Sequence, residues 1–506
     1  MVNNTIPKVL KYNSYYFSND IWIYCPEKNK TITWEDTYLI SVKIAKYLYS
    51  LGLKKGDTVG IASHNSISSC LIFMGIALGG FVATPLNLVA GSKTIDYVIN
   101  HSELSVIFVS SDNKELISKI LENKQNQIDL IEIDNENPLN NKIIDNKIEI
   151  NFENINSKKP VLLMYTSGTT GNPKGVLLSH KNLIAAGKNV ENAHSIKKSD
   201  IALCILPTYH INGLCVTVIG TLVSSSGLVI PYKFSTNKFW DLIKKYKCSW
   251  FSAVPTQFAY LLNDNKKIKD EIKTLRFERS ASAPLSPEIH RKFENRFKIP
   301  IIETMGLTET GAQILSNPMP PRERKIGSPG IAFGNKISIV DENGKQLPAN
   351  SSGEILVKGE NVMIGYLKQP LETNKTITKD NWLKTGDIGY LDEDGYVFVT
   401  GRIKELIIKG GENIAPREID EVLLEHETIL EAAAFAVPCE QYGQRVQACI
   451  ILKDKVNVSE EELINFCIKK IGKFKSPEKI YFCNQLPKGP SGKIQRLKLF
   501  EFVNKI

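Results

Sequence analysis

The densest chemistry in the chain lies in one run: Tyr165-Thr166-Ser167-Gly168-Thr169-Thr170-Gly171-Asn172-Pro173-Lys174-Gly175. Glycines let a backbone approach a ligand closely, hydroxyls donate hydrogen bonds, and the lysine adds positive charge. Together they suit the oxygens of a phosphate chain. The run follows an apolar, strand-like segment, Val161 to Tyr165. It does not fit the pattern G-x-x-x-x-G-K-[ST], because Lys174 precedes Gly175 and its spacing from the other glycines differs; that disfavours a P-loop kinase. An ordinary Ser/Thr/Gly turn is the competing explanation.

Such a loop needs a rigid scaffold, and the chain has the length for one. Its 506 residues are 42% apolar and 23% charged, a globular composition suggesting roughly three structural units. The net charge of +9 is spread along the chain without an Arg/Lys block, so nucleic acid is not an expected partner. Nine scattered cysteines without a C-x-x-C pair predict reduced thiols and a cytoplasmic protein. Neither the MVNNTIPKVL start nor the FVNKI end reads as a targeting signal. The uncharged stretch from Ile201 to Tyr232 contains Pro207, His210, Asn212 and Gly213, so it reads as a buried strand, a loop and a buried helix ending at Gly227 rather than a membrane span.

From Lys55 to about Ile302, short β-branched runs alternate with helical patterns, which predicts an α/β body of parallel sheets covered by helices. Asn343-Gly344 and Asp394-Gly395 then mark hairpins in a small antiparallel β subdomain at about 335–400. The expected division is an N-terminal domain, 1–401, and a small mobile α+β C-terminal domain, 402–506, whose second helix opens at Ser459-x-x-Glu462. Segment 111–157 reads as a solvated excursion.

Six motifs in order give the chain a resemblance to the acyl-adenylate-forming enzymes, in particular their acyl-CoA synthetase branch. They are YTSGTTGNPKG at 165–175, PTYHINGL at 207–214, ETMGLTET at 303–310, KTGDIGYL at 384–391, GRIKELIIKGGENIAPREID at 401–420 and PKGPSGKIQR at 487–496. The resemblance implies that Mg²⁺-bound ATP and a carboxylic acid give acyl-AMP and pyrophosphate, and that CoA then gives acyl-CoA and AMP. A carboxylic acid with a pKa near ~4 is already ionised at neutral pH. The obstacle is repulsion between two anions, so cations and oriented donors are the required catalysts.

Residue roles follow from the same resemblance. Thr166, Ser167, Gly168, Thr169, Thr170, Gly171 and Lys174 would hold the β- and γ-phosphates, unless Lys174 is merely a solvated loop lysine. Glu303, Thr304, Met305, Gly306 and Thr308 would surround the nucleotide, with Thr308 on the α-phosphate and Glu309 on magnesium; Glu309 could also be a plain helix-start acid. Met305 stands where many members carry tyrosine. Ser280, Ser282 and Ala283 belong to a small-residue turn that meets adenine and the acyl group. Asp387 would take the ribose hydroxyls and Arg402 would be a second ribose or phosphate contact, unless either simply forms a salt bridge at a hairpin end. Lys493 would bridge the attacking carboxylate and the α-phosphate, with Lys404 as the hinge. Gly410 and Gly411 would line the pantetheine tunnel or form a turn. His210 and Asn212 fall beside the acyl site, where His210 could equally be structural. Polar Asn212, Ser280 and Ser282 favour a short or polar acid such as a dicarboxylate, and the pattern resembles the oxalate–CoA ligase branch. The alternatives are a ligase that loads a separate carrier protein and a non-catalytic nucleotide-binding homologue.

Overall fold

The computed structural model describes residues 4–122, 128–139, 154–166, 172–264, 268, 272–453, 456–489 and 494–505. Two large, mainly parallel sheets carry the nucleotide motifs. One has seven strands in the order Gly365–Tyr366, Lys174–Ser179, Pro160–Thr166, Val82–Pro85, Thr58–Ala62, Val106–Ser110, Asp129–Ile133. Its inner strands are β-branched and buried on both faces, as helix-covered parallel strands must be. The helix Ile67–Gly79 is apolar nearly all round and buried throughout, packing against the helix Trp34–Ser50. In the seven-stranded sheet Thr166 stands opposite Lys174 across an antiparallel pair, so the two ends of the glycine and hydroxyl run are held side by side.

The second sheet has nine strands. Its site-bearing portion runs Ala312–Ser316, Ile301–Leu307, Phe277–Ser280, Trp250–Ala253, Ile201–Leu203. Four of these are parallel, while Ala312–Ser316 returns antiparallel on Ile301–Leu307. Glu303 to Gly306 are therefore strand residues rather than a loop beyond the strand end.

Elsewhere, three expectations need correction. Segment 111–157 is not wholly a solvated excursion: Ser111–Leu121 is a helix, and Asp129–Ile133 pairs parallel with Val106–Ser110 and buries Ile131 and Ile133. The uncharged stretch forms a π-helix, Asn212–Ile219, and a short α-helix, Gly220–Ser224. The left-handed stop is Ser225, at φ 54°, and Gly227 instead begins a strand. The Asp394-Gly395 turn joins Leu383–Leu391 to Val397–Arg402, whereas Asn343-Gly344 closes only one bridge, Val340 to Gln346. The main partner of Asn335–Val340 is Gly353–Gly359, which completes a four-stranded antiparallel sheet.

Beyond Arg402 a further mixed sheet packs on the helices Pro416–Leu424 and Glu460–Lys475, the latter capped by the Ser459 hydroxyl on the Glu462 N–H. This segment closes around its own apolar cores: Ile407, Ile419, Leu423, Val446 and Leu463 on one side, Phe435, Cys449 and Leu499 on the other.

Candidate active site

Lys174 is not a solvated loop lysine. It begins a strand, its Nζ lies 2.7 Å from Glu372 Oε2, and it sits 4.9 Å from the centre of the Tyr366 ring. The Lys174 hydrogen bond, helped by Lys375, brings the Glu372 carboxyl down to about 2. Tyr366 donates its phenol to Glu309 Oε1 at 2.9 Å, and burial followed by the Glu309 charge raises that phenol far above its ordinary range. A single aromatic side chain thus spans the phosphate-loop lysine and the motif glutamate.

Glu309 occupies a 3-10 turn, Thr308–Thr310, at the end of Ile301–Leu307. A backbone constraint fixes that turn: a Cβ on Gly306 would lie 1.9 Å from the Ala312 carbonyl oxygen, so only glycine fits the close approach of the returning strand. The Glu309 carboxylate is also among the charges that raise the Arg402 pKa, after Asp387 and Glu405. Arg402 Nε meets Asp387 Oδ1 at 2.8 Å across the register of their hairpin. Tyr366 thus joins Lys174 to Glu309, while Arg402 pairs with Asp387 and feels the Glu309 charge.

Other expected residues divide. Asn212 donates to Ser282 Oγ at 3.2 Å, and Ser282 holds φ 72° in the small-residue turn next to Ala283. Glu303 and Thr304 are engaged inward: Glu303 Oε1 accepts from the Leu285 N–H, and Thr304 donates to the Ser280 carbonyl and accepts from Arg279. Burial holds the Glu303 carboxyl up at about 7, against the opposing pull of Arg417. Ser280 is fully buried. Met305 and Thr308 are half-buried, as is His210 beside Asn212. Gly410 and Gly411, at φ 58° and 85°, form the two-residue turn of the Ile407–Lys409 and Glu412–Ile414 hairpin. Both are exposed, and so is Lys404. Ser167, Gly168, Thr169, Thr170, Gly171 and Lys493 lie outside the described residues; Lys488 and Ile494, flanking the last of these, form a bridge.

Sequence reasoning missed Tyr366, Glu372 and Arg279. Nothing local marks the first two, which reach Lys174 only through the fold. Arg279 did carry a signal: a charged pair, Glu278-Arg279, inside an otherwise buried strand.

A carboxylate beside a lysine and an ion-paired hairpin end can receive a metal-bound polyphosphate and a ribose. Glu309, held by the Tyr366 phenol, is the residue that would hold Mg²⁺, a hard cation suited to carboxylate oxygen. The AMP-binding enzyme family matches residues 13–367, and the AMP-binding enzyme C-terminal domain matches residues 418–493. The chain belongs to this family of adenylate-forming enzymes. It is 40% identical to the sulfoacetate–CoA ligase of Cupriavidus necator over 98% of each chain. The oxalate–CoA ligase of Saccharomyces cerevisiae is 34% identical over 97% of this chain and 96% of its own. Among solved structures, ATP-bound MatB from Rhodopseudomonas palustris superimposes with a TM-score of 0.89 at 27% identity, covering 98% of this chain and 99% of that one.

Proposed function

We propose that the protein is an AMP-forming acid–CoA ligase acting on a short, polar acid. Mg²⁺-bound ATP and the acid give acyl-AMP and pyrophosphate, and CoA then takes the acyl group and releases AMP. The carrying observation is that Tyr366 joins Lys174 to Glu309, with the Arg402–Asp387 pair within reach of the Glu309 charge. In this reading Lys174 is the cation for the departing pyrophosphate, Glu309 the anion for the metal and Asp387 the carboxylate for ribose, the charges that such a reaction requires.

Within that reading Lys174 exchanges Glu372 for the β- and γ-phosphates. Thr308 meets the α-phosphate. Lys493 delivers its ammonium between the attacking carboxylate and that phosphate, and no general base is needed because the acid arrives ionised. The segment 402–506 turns about Lys404 between two orientations, the second presenting the Gly410-Gly411 turn to the pantetheine arm. Its self-contained cores support movement as a body. Among the described residues no helix is long and apolar enough to cross a membrane. Nine free thiols support a cytoplasmic location.

The test is pyrophosphate release over acids graded in length and polarity, with and without CoA. Acid-dependent release with acyl-CoA as product is expected. Thioester formed only on a carrier protein would favour the carrier-loading alternative, and ATP binding without release would favour the non-catalytic one.

A further inference from the structure

Arg279 is a cation in an unusual place. Its side chain is 1% exposed in the middle of the nine-stranded sheet, and none of its hydrogen-bond partners is an acid. Burial lowers the guanidinium to about 9, which leaves it charged at neutral pH; its titratable neighbours are the buried Cys215 thiol and the His194 ring, which burial and the Arg279 charge keep neutral. A buried charge with only neutral partners is expensive, so where its field goes matters.

Four branches leave the guanidinium, and the direction of each can be read from its donors. Nε donates to His194 Nε2 at 3.2 Å, so the ring proton sits on Nδ1 and faces the Val190 carbonyl. One amino group donates to Thr304, whose hydroxyl donates to the Ser280 carbonyl, and to Gln313, whose amide donates to the Asn189 carbonyl. These three branches end on backbone oxygens. The fourth does not. The other amino group donates to Ser252 Oγ at 2.9 Å, so the Ser252 proton goes to Asn212 Oδ1 at 3.1 Å. That fixes the Asn212 amide, whose Nδ2 donates to Ser282 Oγ at 3.2 Å. Ser282 accepts there, so its own proton points onward, and among the described residues nothing receives it. Every bond in this branch is polarised away from the cation, and it ends on a half-buried hydroxyl in the turn assigned above to the acyl group.

We propose that Arg279, acting through Ser252 and Asn212, makes Ser282 a donor for a second anionic group on the acid, a carboxylate or sulfonate beside the carboxylate that is activated. Arg279 and Ser252 are positioning residues, and their effect is selection between acids. This rests on the acid–CoA ligase reading. An acid without the second anion leaves the oriented Ser282 hydroxyl without its acceptor, a basis for rejection.

The experiment compares kcat/KM for acid- and CoA-dependent pyrophosphate release with sulfoacetate, oxalate and malonate against acetate and propionate. The set is run on wild type, Ser252→Ala, Arg279→Lys and Arg279→Met. Wild type is expected to prefer the doubly charged acids by about 100-fold, and Ser252→Ala to reduce that ratio about tenfold, mainly through KM for the acid. Arg279→Lys should keep more of the preference than Arg279→Met; if the methionine variant does not fold, Ser252→Ala decides. An unchanged ratio in Ser252→Ala, or a wild type indifferent to the second charge, overturns the relay while leaving the ligase intact. A wild type that releases no pyrophosphate with any acid overturns both.

Discussion

At the scale of single residues, the site is organised around charges that hold one another in check. Glu372 pairs with the lysine proposed to hold phosphate, so in that reading ATP would have to displace it. Glu372→Gln is expected to lower the KM for ATP by about two- to five-fold at low salt, the range of a partly exposed ion pair, with the gain shrinking as salt rises. A higher KM would instead show that the carboxylate aims the lysine. Glu303 offers a titration. Burial raises its carboxyl from 4.5 to about 7, so the folded chain holds this proton more tightly than the unfolded one. The resulting stabilisation is complete below about 4.5 and is lost as pH rises through about 7. Glu303→Gln keeps an acceptor for the Leu285 N–H and cannot ionise. Its stability relative to wild type should therefore improve between about pH 5 and pH 8, by at most about 3 kcal/mol. Melting curves that stay parallel across that range would contradict a buried, titrating carboxyl. Lys174, Glu309, Asp387 and Arg402 were legible because each sits in a local motif with its own spacing. Tyr366 and Glu372 were not, since nothing near them in sequence refers to a lysine nearly two hundred residues upstream.

Among elements, the returning strand Ala312–Ser316 most directly constrains the turn that carries Glu309. It lies so close to Gly306 that Gly306→Ala should destabilise the protein by at least about 2 kcal/mol and displace the Thr308–Thr310 turn with its glutamate. A melting temperature equal to wild type would show that the strand yields. Alternation of β-branched and amphipathic runs was enough to read the parallel sheets, because burial on both faces leaves continuous apolar strands. In the 201–232 stretch it gave the buried strand and helix but missed the helix end, because a helix with no polar face has no periodicity to mark where it stops. It failed for Asp129–Ile133, an edge strand whose alternating charges resemble a solvated segment. The Gly410-Gly411 pair was readable as a turn from sterics alone, since both residues adopt positive φ.

For the whole molecule, the proposed ligase assigns its two half-reactions to two motifs of one moving unit, Lys493 for adenylation and Gly410-Gly411 for thioester formation. Lys493→Ala should lower acid-dependent pyrophosphate release on the order of 10²–10³-fold while thioester formation from supplied acyl-AMP continues. Gly411→Val, at φ 85°, should do the reverse. Equal losses in both assays for both variants would argue against alternation. The strand Gly365–Tyr366 adds a consequence for how the molecule comes into being. It pairs with the far side of Lys174–Ser179, finishing that sheet and bringing the phenol and the counter-ion to the loop. A ribosome must therefore polymerise nearly two hundred residues past the lysine before the cradle exists. Until then the growing chain has no completed place for the nucleotide, so ATP can steady the finished body without trapping its unfinished halves.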